Sequence, residues 1–379
     1  MQILSGDNIL NRKQCNVLRG IAIMGIFLHN FCHWLHGAQQ ENEYMFKLQN
    51  SHNMWDYWTR GGIDSFFPIQ FFSYFGHYGV PLFLFLSGFG LVMKYERSNK
   101  VVTAGNFLSY NWLKLFRLMV LGYLLSFITY WLCGMRMQSW HEILGQLTMV
   151  INLFPNPGGV ILPGPYWFFG LMLQVYIIYR LLVYPWRMPK TCWRWLMPLL
   201  LIVVAWIMQA LLFPYQGTLN YMRYNAVVAM LPFCAGVLVA RFGMPQLSRL
   251  SFVTIAVLSF VLLAVANLNF QSWLWSPVLV IAGAVSFVKV LESNDNGSWP
   301  RAAHWIMAPL AWMGVMSSYI FVVHSIVRMP IFKWVMWRQP SLMLTDYLWL
   351  ALYIVLTILL AWLYKQYLRL IPKPRLKWS

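Results

Sequence analysis

One apolar run, Leu18 to Trp34, reads LRGIAIMGIFLHNFCHW and holds one arginine and two histidines but no other ionisable side chain except Cys32. As a helix rising 1.5 Å per residue, it carries His29 about 15 Å beyond Arg19, near mid-bilayer. His33 follows one turn later on the same face, with Asn30 beside them to hydrogen-bond a neighbour. An ionisable group inside a membrane span costs roughly 2.5 to 3.5 kcal/mol on insertion scales, so such groups usually serve a function. The imidazole changes charge most readily near neutral pH, which suits general-base work. A guanidinium at the mouth of the helix suits an anion. Histidines hydrogen-bonded inside a helix bundle would look the same, and on these residues alone both readings stand.

The elements that must position these groups follow from composition. The chain has 379 residues, 60% hydrophobic and only 10% charged, whereas a soluble domain carries about 25% charged residues. It has too little polar surface to cover a globule, and we expect an all-α, polytopic membrane helical bundle forming a single domain over residues 1–379. Apolar runs fall near Val17 to Leu35, Tyr78 to Met93, Phe116 to Cys133, Tyr166 to Val183, Leu196 to Phe213, Ala226 to Ala240, Phe252 to Leu268, Leu274 to Leu291, Trp305 to Val327 and Asp346 to Tyr364. These predict about ten transmembrane helices.

The net charge of +18 does not point to nucleic acid, because the basic residues are scattered through short loops. Alternating the ten spans puts 21 of the 28 Lys and Arg residues on one side and seven on the other. The positive-inside rule then predicts both termini cytoplasmic. The polar segment before Leu18 and the lack of a small-residue cleavage site after the first span predict a retained first helix.

Other stretches are expected to lie outside the spans. Thr148 to Val160, broken by Pro155, Pro157 and paired glycines, suits a re-entrant or surface loop. The outer loop from His36 to His77 carries Glu41, Glu43, Asp56 and Asp64 among aromatics and reads as an amphipathic segment on the outer leaflet. The five cysteines show neither disulfide nor zinc spacing and read as packing residues, so no metal is expected. Leu-Ser-Gly-Phe around Ser87 lacks the second glycine and the strand-to-helix setting of a nucleophile elbow, which favours direct transfer chemistry over an acyl-enzyme.

Taken in order, several segments resemble the integral-membrane acyltransferase family 3. LRGIAIMGIFLHN is similar to its first-helix arginine and histidine, and GVPLFLFLSGFGLVMKYER, Gly79 to Arg97, to its G-V-x-L-F-F-x-L-S-G-F helix. Lys114 to Arg117 resembles its R-x-x-R, while Pro165 to Leu182, Phe233 to Arg241 and Trp312 to Ser325 match later segments. Two departures stand out. Nine residues separate Arg19 from His29 where the family usually has ten, which leaves His33 open as the base, and Lys114 replaces an arginine and loses bidentate phosphate geometry.

The resemblance implies an O-acyltransferase of the inner (cell) membrane that moves an acyl group, most simply acetyl, from acyl-coenzyme A (acetyl-CoA) to a hydroxyl of a cell-envelope carbohydrate or its lipid-linked precursor. It implies His29 and Arg19 as catalytic residues and Arg19, Lys114 and Arg117 as holders of the cytoplasmic donor's phosphates. Contact with the acceptor glycan would come from Tyr166, Trp167, Ser318, Tyr319 and His324, which otherwise read as belt aromatics and a packing cluster. The alternative is a transporter or flippase of such a glycan, disfavoured by the lack of internal repeats and the scarcity of intramembrane acids. A histidine-bearing sensor or scaffold is a third reading.

Overall fold

The computed structural model describes residues 3–4, 9–43, 45–61, 64–97, 101–184, 191–292, 301–334 and 341–377. Lys100, Arg187, Lys190, Asp295 and Arg338 lie outside these residues. The only strands among the described residues, β1 (Ile3–Leu4) and β2 (Met244–Pro245), form a short antiparallel pair, and helices make up the rest of the regular structure.

The first helix, α1 (Arg12–Cys32), starts at a capping box in which Asn11 accepts from the Gln14 amide while the Gln14 side chain accepts from the Asn11 amide. Next come α2 (Leu48–Asp56), α3 (Phe67–Phe75) and α4 (Gly79–Leu91), then the long α5 (Ala104–Leu132). They are followed by α6 (Trp140–Thr148), the single turn α7 (Pro157–Val160) and α8 (Trp167–Ile178). The second half holds α9 (Thr191–Leu212), α10 (Gln216–Arg223), α11 (Ala226–Phe242), α12 (Arg249–Ala266), α13 (Phe270–Trp273), α14 (Ser276–Val290), α15 (Arg301–Trp334) and α16 (Asp346–Leu370).

Burial sorts these helices into a centre and a rim. The apolar window of α1 is 61% buried, whereas those of α9, α12 and α16 are 22% buried. Rim helices turn residues such as Leu211, Leu250 and Leu348 outward, as expected where the outer solvent is lipid. α1 lies closely against α15 because Gly20 and Gly314 have no side chain. A Cβ on either would strike the backbone carbonyl of the other helix, Leu310 and Asn16 respectively. α16 joins this pair through Tyr353, whose hydroxyl donates to the Phe27 carbonyl at 2.9 Å and whose ring stacks on Phe31.

All ten expected spans fall on helices, and among the described residues eight helical segments are long and apolar enough to cross a membrane. Two of the ten differ from a simple span. α11 forms a bent pair with α10, turned by 50°, and α14 has only 15 residues, about 22 Å of helix against a hydrocarbon core of about 30 Å. The broken stretch after Thr148 is a non-spanning turn region as expected, with a 3-10 turn at Ile151–Leu153 and the four-residue α7.

The outer loop departs from expectation. Rather than a surface segment, Phe67 to Phe75 is the start of a 30-residue helical unit, Phe67–Glu96, that enters the bundle. Its sequence FPIQFFSYF is apolar enough to be buried once Pro68 starts the helix. α2 is likewise tied down: Ser51 donates to the Asn267 carbonyl at 2.6 Å and accepts from Tyr74 at 3.0 Å. Of the cysteines, Cys15, Cys32, Cys133 and Cys234 are buried, but Cys192 is exposed rather than packed.

Candidate active site

Two chambers meet along α1. One, toward the C-terminal end of α1 and named outer after the orientation the basic residues predict, has a volume of about 230 Å³ and is lined by His29, His33, Glu41, Glu43, His77 and Arg328, among others. The inner one, about 380 Å³, is lined by Arg19, Lys94, Lys114, Asn111, Ser87 and Ser318 and by apolar side chains. Arg19, Ile26 and His33 are seven residues apart in turn, close to two helical turns each, so one face of α1 serves both chambers.

His29 is only 4% exposed. Its Nδ1 lies 2.9 Å from the Ser73 carbonyl and 3.3 Å from that of Phe72. A carbonyl can only accept, so Nδ1 carries the proton and Nε2 is left as the basic nitrogen. This Nε2 lies 3.6 Å from Oε2 of Glu43. The α3–α4 unit can deliver those carbonyls because it breaks into a 3-10 turn at Gly76–Tyr78, where Gly76 sits against α1. A Cβ there would run into the Gly25 carbonyl and, at 2.6 Å, into Cβ of His29.

Around His29 the other groups form a compact cluster. The His33 ring stacks on it with centroids 5.1 Å apart, and His77 meets it edge-on at 5.6 Å. Nδ1 of His33 lies 2.5 Å from Oε2 of Glu41. Burial by itself would raise the Glu41 carboxyl, but His33 in contact and the nearby imidazoles of His29 and His77 bring it down to about 2. Asn30 accepts from Arg328 at 3.0 Å through its side chain and at 2.8 Å through its backbone carbonyl. That buried guanidinium also lies over the Trp34 ring.

The two glutamates reach the histidines by a local device. Gly37, at φ +85, turns the chain back just after α1, and Glu41 and Glu43 follow four and six residues later. Asn50 donates to the Glu41 carbonyl at 2.8 Å and Arg223 to the Glu43 carbonyl at 2.7 Å, which fixes the returning segment. From their aromatic-rich surroundings these acids are expected on the outer leaflet surface, whereas the folded chain brings them to the histidines. A helix end, a glycine and acids a few residues later were the available signal. His77, Arg328 and Lys94 were also missed, since nothing local to them marks a shared chamber.

The residues expected at the site divide. His29 and Trp167 line the outer chamber, and Arg19, Lys114 and Ser318 the inner one. Arg117 lines neither; its Nη2 donates to the Leu368 carbonyl and, at 2.9 Å, to that of Ile371, holding the C-terminal end of α16. Tyr166 is fully buried and donates to the Val322 carbonyl at 3.1 Å. Tyr319 packs its ring toward Tyr364 of α16. His324 is fully buried, with Nδ1 bonded to the Phe321 carbonyl of its own helix at 2.8 Å. The structure therefore does not bring Arg117, Tyr166, Tyr319 or His324 to the walls of either chamber.

His29, His33 and Glu41 place a ligand atom each within 4.8 Å of one another. With Glu43 beside them this cluster can equally shuttle a proton or hold a divalent ion, and the carbonyl-fixed tautomer of His29 serves either use.

A helical membrane bundle with a buried basic imidazole facing two carboxylates has the parts of a group-transfer enzyme. Residues 12–365 match the family model of acyltransferase family 3, described as an acyltransferase domain. The chain belongs to this family, and it is a multi-pass membrane acyltransferase. Comparisons with curated proteins and with solved structures return no match.

Proposed function

We propose that the protein is an inner-membrane O-acyltransferase that moves an acyl group, most simply acetyl, from cytoplasmic acyl-coenzyme A to a hydroxyl of a cell-envelope carbohydrate or its lipid-linked precursor. The observation that carries this reading is the abutment of two unlike chambers: a cationic inner one and an outer one built around a histidine with its basic nitrogen free of backbone. Arg19, Lys94 and Lys114 suit the phosphates of a polyanionic donor. Arg117, engaged with α16, is assigned to holding the end of that helix rather than to the phosphates.

The acceptor hydroxyl enters from the outer side, where Trp167 offers an aromatic face to a sugar. Its proton passes to Nε2 of His29 as its oxygen attacks the thioester carbon. The C–O bond forms, the C–S bond breaks, and the thiolate leaves toward the inner chamber and takes up a proton to become the free thiol, while the His29 imidazolium gives up the one it took from the hydroxyl, so the net proton passes from acceptor to thiol. The Glu43 carboxylate stabilises the imidazolium that results, and His33 with Glu41 flanks it. Ser318 lies on the donor side.

The test is transfer of label from radiolabelled acetyl-coenzyme A to an envelope glycan by the purified protein, with His29→Ala alongside. The expected result is transfer by the parent chain and a loss of about 10²- to 10⁴-fold in the variant. Movement of a glycan across vesicles without acylation would instead establish the transporter reading.

A further inference from the structure

Three side chains line both chambers: Ile26 of α1, Phe168 of α8 and Phe321 of α15. They are the wall between them. Ile26 is one turn below His29 on α1 and is 4% exposed. The two phenylalanine rings are half-buried, with centroids 5.4 Å apart at an interplanar angle of 59°. Phe168 is braced on the inner side by Phe83 at 6.4 Å, and Phe169 packs edge-on against Phe321 at 5.9 Å. The wall thus joins three helices far apart in sequence, and no polar side chain belongs to it.

This inference rests on the proposed donor and acceptor sides. If the thioester is presented from the cationic chamber and the base stands in the outer one, the acyl group must lie at the wall when the hydroxyl attacks. We propose that Ile26, Phe168 and Phe321 set the length of acyl group the enzyme transfers, by leaving room for a short chain between the two rings and His29 and none for a longer one. An apolar wall is the right chemistry for this task. It excludes water from the thioester and discriminates by volume, for which one methylene is worth about 10- to 200-fold in specificity.

The experiment compares kcat/KM for acetyl-, butyryl- and hexanoyl-coenzyme A in the full-length protein and in Phe168→Ala, Phe321→Ala and Phe321→Leu. Truncating either ring is expected to raise the butyryl-to-acetyl ratio by about tenfold or more, and Phe321→Leu by less. The ratio within one preparation is insensitive to how much protein is folded, so general damage lowers all three donors together without moving it. An unchanged ratio in variants that still transfer acetyl overturns the wall as the selector. If Phe168→Ala and Phe321→Ala do not fold, the milder Phe321→Leu and Ile26→Val decide by the same ratio. A parent chain that transfers no acyl group from any donor overturns the donor and acceptor assignment instead, which keeps the two failures distinct.

Discussion

Nε2 of His29 and Oε2 of Glu43 lie 3.6 Å apart, although one belongs to a buried helix and the other to the segment that folds back over its end. On the far side of the ring the Ser73 carbonyl fixes Nδ1 as the proton-bearing nitrogen. A base held between a carbonyl and a carboxylate is oriented and ready to become positively charged, so the first expectation concerns Glu43. Glu43→Gln keeps the shape and removes the charge, and kcat should fall about 10- to 100-fold, the equivalent of roughly 1.5 to 3 kcal/mol for a charge-assisted contact. KM for the donor should stay within about twofold in the same steady-state assay.

His33 is the comparison that decides which imidazole is the base. Its Nδ1 is committed to Glu41, so His33→Ala should retain activity within about tenfold while His29→Ala loses far more. If single-turnover rates show the reverse order, the base lies one turn farther along α1.

The basic residues near the inner chamber separate into two kinds. Arg19→Ala and Lys114→Ala should each weaken binding of coenzyme A about tenfold, more at low salt, as titration calorimetry in detergent would show. Arg117→Ala should leave that affinity unchanged but lower the apparent melting temperature, since two carbonyls at the end of α16 lose their donor.

Acid should act on Glu41. Its carboxyl titrates near 2 in the folded protein against an ordinary value of 4.5, so a folded pKa below the unfolded one gives stability that is complete above about pH 4.5 to 5 and is lost as pH falls toward 2. Thermal melts between pH 6 and pH 3 should therefore fall more steeply for the parent chain than for Glu41→Gln. Parallel curves would show that this pair contributes nothing to stability.

Orientation in the membrane follows from the distribution of basic residues. The expected arrangement has both termini cytoplasmic, and on it a cysteine at Gln49 should react with an impermeant maleimide in intact cells, and one at Glu292 only after permeabilisation. Labelling of both from the same side would reject the ten-span arrangement.

Much of this was legible in the sequence for physical reasons that act locally. Hydropathy over some 20 residues decides whether a segment enters lipid, because backbone groups there must be satisfied within a helix. That is why every apolar run became a helix, and why His29 could be singled out as an ionisable group in an apolar setting. The order of the motifs likewise indicated the family. The run of apolar residues did not carry the 50° bend between α10 and α11 or the 15-residue length of α14.

What the sequence by itself determined was the helical membrane bundle, its acyltransferase family and the imidazole in the first helix. Only the tertiary structure decided the company that imidazole keeps: Ser73, 44 residues away, at one nitrogen and Glu43 at the other. It also turned Arg117 to the end of α16, buried Tyr166 and His324, and set Phe168 against Phe321 between the chambers. These pairings depend on the angle at which helices cross and on where a glycine turns the chain. Neither is carried by the periodicity of any one segment, because burial and close packing are settled jointly by all the helices that meet.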